Sequence, residues 1–231
     1  MAAQARLAVA LMSGGMDSAV AAALVRQAGY ELAGLHISYG HRTAARERRA
    51  FEALCDAWGI VRRLVVCLEH LRLIGGSALT DPAIPVPEGE LSRQGIPPTY
   101  VPFRNANLLA IAVSWAEVLG ASAVVIGAVE EDSSGYPDCR KVFYEAFQRV
   151  IELGTRPETR IELLTPVIQL RKRDIVRQGV ELGVPFQLTW SCYQREDLAC
   201  GECDSCLLRL RGFREAGVED PLPYARIPSG V

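Results

Sequence analysis

The chain has 231 residues, of which 49% are hydrophobic and 23% charged, with a formal net charge of −2 and a pI near 6.0. The length accommodates one large domain, or one domain with an appendage, and the near-neutral charge excludes a protein held to nucleic acid mainly by bulk positive charge. No run approaches the roughly 18 apolar residues of a membrane span, and the N-terminal apolar run is too short for a secretory leader. We therefore expect a cytoplasmic protein with no membrane contact.

The first two-thirds of the sequence alternate strand-like and helix-like segments. Short apolar runs predict strands at residues 7–12, 32–38, 63–67 and 123–126. Helical patterns occur at residues 17–27, 44–58 and 105–119, and Gly29 is the predicted C-cap of the first. This order predicts an α/β fold, in which a Rossmann-like and mostly parallel sheet carries helices on both faces.

Two regions depart from this alternation. Residues 75–98 are rich in proline and glycine, which predicts a long loop of the kind that is usually functional or mobile. After residue 165 the pattern predicts helices at residues 172–182 and 205–215 around a cluster of cysteines, followed by a Pro-rich tail. We therefore predict an α/β domain of residues 1–165 and a small helical segment of residues 166–231.

Residues 13–18 read Ser-Gly-Gly-Met-Asp-Ser and lie directly between a buried strand and a helix. Glycines let the backbone approach a ligand closely, and the start of a helix offers N–H groups to an anion. Ser13 and Ser18 can bind phosphate oxygens, and Asp17 can hold Mg²⁺. The spacing matches neither a Walker loop nor a dinucleotide fingerprint. The plain alternative is a tight turn with Ser and Asp as caps.

The seven cysteines are unevenly placed. An odd total without a secretory leader predicts reduced thiols rather than disulfides. Cys55, Cys67 and Cys139 are scattered, and the other four crowd into a short C-terminal stretch: Cys192, Cys200, Cys203 and Cys206. Four thiolates complete a tetrahedral Zn²⁺ site, which is structural because no position stays open. An iron–sulfur cluster and buried unligated thiols are the alternatives.

The hexapeptide at residues 13–18 resembles the PP-loop of the ATP pyrophosphatases, which cut ATP between its α and β phosphates. The resemblance implies an adenine nucleotide alpha hydrolase-like fold, with ATP as co-substrate together with Mg²⁺. It also implies that the nucleotide is held by Met12, Ser13, Gly14, Gly15, Met16, Asp17, Ser18 and Ala19. Enzymes of this superfamily adenylate a carbonyl or carboxyl oxygen, release pyrophosphate and let a nucleophile displace AMP.

Further blocks sharpen the resemblance. They are residues 100–105, 134–140, 165–168 with Lys172, 189–193, and 200–206 followed by Leu208, Arg209, Gly212 and Phe213. Together with the PP-loop they resemble the 7-cyano-7-deazaguanine (preQ0) synthase family, QueC, of the queuosine pathway. The likeness runs from about residue 7 to residue 217, nearly the whole chain.

The resemblance implies a ligase that forms C–N bonds. ATP would activate the carboxylate of 7-carboxy-7-deazaguanine, ammonia would capture it as an amide, and a second activation would give the nitrile. No glutaminase-sized domain fits in 231 residues, so free ammonia is the expected nitrogen source unless a separate subunit delivers it. The family also suggests a homodimer with one structural zinc ion per chain. AMP with pyrophosphate is the implied product pair, and ADP with phosphate stays open.

The predicted catalytic residues are Ser13, Asp17, Arg104 and Lys172. The predicted substrate residues are Arg104, Asn105, Tyr136, Asp138 and Cys139. Arg104 can grip a phosphate or carboxylate with both arms of its guanidinium, or form a salt bridge at a helix cap. Asp138 can accept hydrogen bonds from a guanine-like N–H edge or cap the next helix, and Cys139 can be a packed thiol. Lys172 is one of only two lysines, which favours a phosphate contact.

Some positions depart from the family pattern. They are His41, Thr43, Val129 and Ser133, while the neighbouring Asp132 is kept. Two polar groups on the substrate side are thus absent, so the base can be held differently. The arginines around Glu47, at positions 42, 46, 48 and 49, are most simply a solvated helix face.

Two other functions stay open from the sequence. A PP-loop enzyme that thiolates a base in tRNA would need a basic surface or an RNA-binding module, and the net charge of −2 speaks against it. A zinc-ribbon-like interaction module would explain the cysteines but leaves residues 13–18 without a role.

Overall fold

A computed structural model describes residues 6–89, 95–130 and 135–228 of the chain. These residues contain a five-stranded sheet with the order β3-β2-β1-β4-β5, and every pairing is parallel. The strands are β1 (Arg6–Leu11), β2 (Tyr30–Ser38), β3 (Arg63–Cys67), β4 (Ala123–Ile126) and β5 (Glu162–Leu164). The α-helices are α1 (Met16–Gln27), α2 (Ala44–Trp58), α3 (Glu69–Ile74), α4 (Arg104–Leu119), α5 (Lys141–Gly154), α6 (Lys172–Glu181) and α7 (Asp204–Ala216). The predicted α/β class is confirmed.

Alternate residues of β1 pack into two separate hydrophobic cores. Ala8 and Ala10 face the core made with α1, α2, α6 and α7. Val9 and Leu11 face the core made with α3, α4 and α5. A central parallel strand covered on both faces needs apolar residues at every position, which is why this run shows no polar alternation. The predicted helices on both faces are confirmed.

The sequence did not predict three elements of the structure, namely α3, α5 and β5. β5 has only three residues, and its outer edge is closed by one side chain. Gln148 on α5 donates to the Ile161 carbonyl (3.1 Å) and accepts from the Leu163 amide (2.8 Å). The Gln148 side-chain amide therefore satisfies two backbone groups on the outer edge of β5, which would otherwise lack a hydrogen-bond partner from a neighbouring strand.

The Pro- and Gly-rich stretch contains neither helix nor strand in its described parts, residues 75–89 and 95–98, as predicted. Arg42 fastens it, because its guanidinium donates to the carbonyls of Ala78 (3.0 Å) and Ile84 (3.0 Å). The arginines near Glu47 are therefore not one solvated face. Arg42, Arg48 and Arg49 are all exposed, but Arg42 binds this loop, and the half-buried Arg46 turns toward the C-terminal segment.

The segment after β5 packs on the sheet domain, since α6 contacts both α1 and α7. Arg209 of α7 is 1% exposed and binds both carboxylate oxygens of Asp220, at 2.8 and 2.9 Å. This buried pair fastens the tail to α7. The division of the chain at residue 165 stays a prediction. None of the helices in the described ranges has the length and apolar character needed to cross a membrane.

Candidate active site

A cavity of about 260 Å³ opens at the carboxyl edge of the sheet, beside the ends of β1 and β4. The strand order reverses between these two strands, since β2 and β3 lie on one side of β1 and β4 and β5 on the other. Open α/β sheets bind ligands at this switch point. The cavity is lined by residues 11–13 and 15–18, the ends of β2 and β4, the start of α4, Lys172 and parts of the cysteine-rich segment.

The phosphate loop, residues 12–19, follows β1 and enters α1. Gly14 has φ +88°, and a Cβ there would lie 2.5 Å from the Glu47 carbonyl oxygen, so only glycine fits. Gly15 precedes α1, and no described side chain caps the helix. The first N–H groups of α1 therefore remain available to an anion at the cavity.

Gly127 also shapes this part of the site, and its role was not predicted from the sequence. A Cβ on Gly127 would lie 2.5 Å from Cα of Ser18 and 2.6 Å from its amide nitrogen. Because this position carries no side chain, the end of β4 packs directly against the first turn of α1. The only available signal was a glycine directly after a buried strand.

The loop side chains bind one another and the backbone. The hydroxyls of Ser13 and Ser18 lie 3.2 Å apart, and Ser18 donates to the Gly15 carbonyl at 3.0 Å. Ser13 Oγ accepts from the Gly15 amide at 3.2 Å. The two hydroxyls are thus held close together at the cavity.

Lys172 and Asp17 meet beside the loop, 155 positions apart in sequence. Lys172 Nζ donates to Asp17 Oδ2 at 2.6 Å, and Lys172 is only 7% exposed. The other oxygen, Oδ1 of Asp17, is buried without a hydrogen-bond partner among the described residues. A buried carboxylate oxygen without a partner is costly, and a hard oxygen donor at a phosphate loop suits Mg²⁺.

The opposite wall is formed where α4 begins. Arg104 is half-buried, and its guanidinium lies near the rings of Tyr39 (5.6 Å) and Tyr136 (5.7 Å). It donates to the Tyr39 hydroxyl at 3.2 Å, and no carboxylate of the described chain lies within 4.0 Å of it. Phe103, directly before it, has φ +56°, which is a strained value for a residue with a side chain. Such strain is typical of functional sites.

Asp138 supports this wall from behind. It is 3% exposed and does not line the cavity, and its Oδ2 accepts from the Asn105 amide at 2.8 Å. It therefore caps α4, the helix before it in sequence, rather than the next helix. Asn105 Nδ2 also donates to the Asp138 carbonyl at 2.8 Å. Direct contact of Asp138 with a substrate stays a prediction.

Cys139, Asn105 and Tyr136 do line the cavity. Burial raises the pKa of the Cys139 thiol to about 11, and the nearby Arg104 charge only partly offsets this. The Tyr136 hydroxyl donates to Thr99 at 2.9 Å, which ties the wall to the Pro-rich loop. Because its pKa is about 11, the Cys139 thiol is neutral at physiological pH and is not activated as a nucleophile.

Glu47 is a candidate functional residue, although the sequence predicted that it lies on a solvated helix face. It lines the cavity, and its carboxylate accepts from Thr43 Oγ1 at 3.0 Å and lies 3.0 Å from His41 Nε2. Of the departing positions, Thr43 therefore holds this carboxylate by a hydrogen bond, and His41 lies beside it. Val129 presents an apolar side chain to the cavity, and Asp132 and Ser133 lie outside the described residues.

The four clustered cysteines come together as predicted. Their sulfur atoms all lie within 4.8 Å of one another and all four residues are buried. Sγ of Cys200 and Sγ of Cys206 are 3.8 Å apart, which matches the edge of about 3.8 Å expected for a tetrahedron with 2.3 Å Zn–S bonds. Backbone N–H groups point at the sulfurs of Cys192 and Cys200, at 3.3–3.4 Å. Such bonds stabilise thiolates around a cation, so the residues fit a metal ion.

The remaining cysteines have no place in either site. Cys55 is buried in the core between α2 and the sheet, and Cys67 is exposed on β3. All seven cysteines are free in the structure, and their reduced state stays a prediction.

Comparison with known proteins gives a consistent set of similarities. The sequence model of the family described as queuosine biosynthesis protein QueC matches residues 7–217. A protein of Koribacter versatilis named 7-cyano-7-deazaguanine synthase is 62% identical, over 94% of this chain and 93% of its own. One of the same name from Chloroherpeton thalassium is 59% identical, over 97% of this chain and 99% of its own.

Similarity to solved structures is more distant. An NMN synthetase from Francisella tularensis matches with 15% identity and a TM-score of 0.49, covering 93% of this chain and 78% of that one.

Proposed function

The chain belongs to the QueC family of queuosine biosynthesis proteins, and we propose from this that it is an enzyme converting 7-carboxy-7-deazaguanine, ammonia and ATP into 7-cyano-7-deazaguanine (preQ0). Proteins more than half identical to it over nearly their whole length carry the synthase name. The proposed ligase class and ATP dependence rest on the geometry of the cavity.

The proposed reaction uses two molecules of ATP, the first to activate the carboxylate and the second to activate the amide. A carboxylate oxygen attacks the α phosphate of ATP, pyrophosphate leaves, and ammonia displaces AMP, which carries that oxygen away. The amide oxygen then attacks the α phosphate of a second ATP and releases a second pyrophosphate, and loss of AMP and of both amide protons leaves the C≡N bond. Each step turns a poor leaving oxygen into part of a good leaving group, and the phosphate loop would bind the departing pyrophosphate.

One observation carries the proposal. Arg104 presents a half-buried guanidinium with no carboxylate within 4.0 Å among the described residues, in the same cavity as the phosphate loop. A partly buried guanidinium that is not directly paired with a carboxylate suits an anionic ligand. A planar guanidinium matches the carboxylate of the substrate, while the loop takes the triphosphate.

The other proposed roles follow from position. Residues 12–19 hold the ATP phosphates, Asp17 Oδ1 with Ser13 and Ser18 suits Mg²⁺, and Lys172 adds a positive charge beside them. Bound Mg²⁺ would neutralise charge on the phosphates. Asn105, Tyr136 and Cys139 border the deazapurine. We add Glu47, which lines the cavity and whose carboxylate can accept from the guanine-like N–H edge.

The cysteine cluster supports one structural zinc ion per chain. Sulfurs within 4.8 Å of one another suit a single ion, whereas in an iron–sulfur cluster the thiolates bind different iron atoms and stand farther apart. Elemental analysis should give one zinc per chain without visible absorbance. Visible absorbance with iron would contradict this assignment. Replacing Cys203 by Ala should remove the metal and lower stability, and Cys67→Ala is the control.

Free ammonia, a homodimer and a cytoplasmic location complete the proposal. Exposed apolar residues line one face of α5, namely Val142 (59% exposed), Val150 (57%) and Leu153 (79%), which supports contact with a second copy. Free thiols and a thiolate metal site suit a reducing compartment.

The test is a direct assay. The protein is incubated with 7-carboxy-7-deazaguanine, ammonium, ATP and Mg²⁺, and the products are identified by mass. We expect the nitrile, with the amide as an intermediate, and no product when ammonium or ATP is omitted. Absence of nucleotide turnover with this substrate would overturn the proposal.

A further inference from the structure

The four-cysteine cluster shares a hydrophobic core with two residues that contact the phosphate loop, Ala50 and Trp190. Ala50 of α2 and Trp190 pack in one buried cluster with the four cysteines. Trp190 is 2% exposed and stands two positions before Cys192, the first of the metal-site cysteines. The position of Trp190 is therefore set by the same packing that surrounds the metal site.

The backbone of Trp190 holds the phosphate loop directly. Its N–H donates to the Gly14 carbonyl at 2.8 Å. The opposite side of Gly14 is closed by α2, where a Cβ would lie 2.5 Å from the Glu47 carbonyl and 2.9 Å from Ala50 Cβ. Gly14 is thus clamped between α2 and Trp190, and the clamp fixes the backbone of the loop.

The loop between the metal-site cysteines also binds the start of α2. Glu196 lies between Cys192 and Cys200, and its Oε1 accepts from the Arg46 amide at 3.0 Å. The Arg46 guanidinium lies over the Trp190 ring, 4.5 Å from its centroid. α2, Trp190 and the cysteine loop therefore form one connected unit around Gly14.

We propose that metal binding at the four-cysteine cluster is coupled to ATP binding at the phosphate loop, with Trp190 as the positioning residue. The metal holds the cysteine segment in place, and this segment holds Gly14. Metal and ATP therefore each bind more tightly when the other is bound. This inference rests on the proposed function, because it requires ATP at the phosphate loop. Coupling is reciprocal, so ATP must strengthen metal binding by the factor by which the metal strengthens ATP binding.

The experiment uses the metal-loaded full chain and α,β-methylene ATP, which cannot be cleaved between its α and β phosphates. Metal withdrawal by a chromogenic chelator, 4-(2-pyridylazo)resorcinol, is followed with and without a saturating amount of the analogue. We expect the analogue to raise the apparent metal affinity at least about fivefold. Analogue affinity is measured separately by calorimetry on the loaded chain.

Two variants of the same cysteine loop separate this coupling from a general gain in stability. Glu196→Ala removes the acceptor for the Arg46 amide, whereas Asp197→Ala removes an exposed carboxylate that pairs with Arg195 inside the loop. We expect the coupling factor to fall toward one in Glu196→Ala and to stay at the wild-type value in Asp197→Ala, with one metal per chain in both.

The outcomes are distinguishable. If the analogue binds the wild-type chain but leaves metal withdrawal unchanged, the coupling is overturned while the proposed function stands. An equal factor in the two variants would overturn the route through the cysteine loop and α2. Failure of the analogue to bind at all would overturn the proposed function and the coupling with it.

Discussion

The two walls of the cavity are built in different ways. The phosphate-loop wall comes from one short stretch, in which Gly14 is tightly enclosed and the hydroxyls of Ser13 and Ser18 bind each other and the backbone. The opposite wall is assembled from Tyr39, Arg104, Tyr136 and Cys139, which come from separate segments of the chain, and none of the described carboxylates lies within 4.0 Å of its guanidinium.

This difference separates two tasks. A wall of backbone N–H groups beside a lysine and a carboxylate suits any nucleoside triphosphate, because it contacts only phosphates. A wall of aromatic rings around a guanidinium suits a flat, anionic acceptor. Substitutions on the first wall should therefore change ATP binding, and those on the second should change use of the acceptor.

The largest expected effect is that of Asp17→Asn. It replaces the carboxylate that accepts from the buried Lys172 ammonium by a neutral amide and removes the oxygen assigned to Mg²⁺. We expect the Kd for ATP to rise about 100-fold, which corresponds to about 3 kcal/mol. Calorimetric titration measures it. The control is Asp174→Asn, at a carboxylate that pairs with exposed arginines of α6. Equal affinities in the two variants would refute the role of Asp17.

Arg104→Ala should separate the walls most clearly. We expect kcat/KM for 7-carboxy-7-deazaguanine to fall about 100-fold, because a partly buried charged hydrogen bond is lost, while the Kd for ATP changes less than about twofold. Steady-state kinetics and calorimetry measure the two effects. Arg140→Ala, at an exposed arginine beside the same wall, is the matched control. A parallel loss of ATP binding would place Arg104 on the phosphates instead.

Glu47→Gln should have a smaller effect, and this effect should be on use of the deazapurine acceptor. A neutral amide replaces a carboxylate acceptor, so we expect KM for the deazapurine to rise about tenfold with kcat nearly unchanged. Glu52→Gln, on the same helix but exposed and paired with Arg48, is the control. A fall in kcat at constant KM would argue against recognition of the ring by Glu47.

Cys139→Ala should have the smallest effect. Because the pKa of this thiol is raised to about 11, it is protonated throughout pH 6–9 and supplies no thiolate for catalysis. We expect kcat within about twofold of wild type. The pH–rate profile should also be unchanged, without a limb that rises with thiol ionisation. Loss of activity with a shifted profile would assign Cys139 a chemical role.

The parts that could be predicted from sequence are those whose residues lie close together in it. Residues 13–18 carry the phosphate loop, and residues 192–206 bring four thiols together because short spacings leave the chain few other arrangements. The buried strands were also predictable, since a parallel strand covered on both faces must be apolar throughout.

Contacts between distant segments could not be predicted in the same way. Asp138 caps a helix that begins 34 positions earlier, at Arg104, and Gly127 makes room for α1 from another strand. Glu47 is surrounded in sequence by arginines that predict a solvated face, and only the packing of α2 against Gly14 places Glu47 at the cavity. These roles depend on tertiary packing, which single-sequence patterns do not contain.

The most direct test of the central claim, activation of the acceptor as an adenylate, follows oxygen atoms. 7-Carboxy-7-deazaguanine labelled with ¹⁸O in its carboxylate is turned over with ammonium, ATP and Mg²⁺, and the nucleotide and phosphate products are examined by mass. Both labelled oxygens should appear in AMP, one from each activation, with none in pyrophosphate. Label in inorganic phosphate, accompanied by ADP, would contradict adenylation.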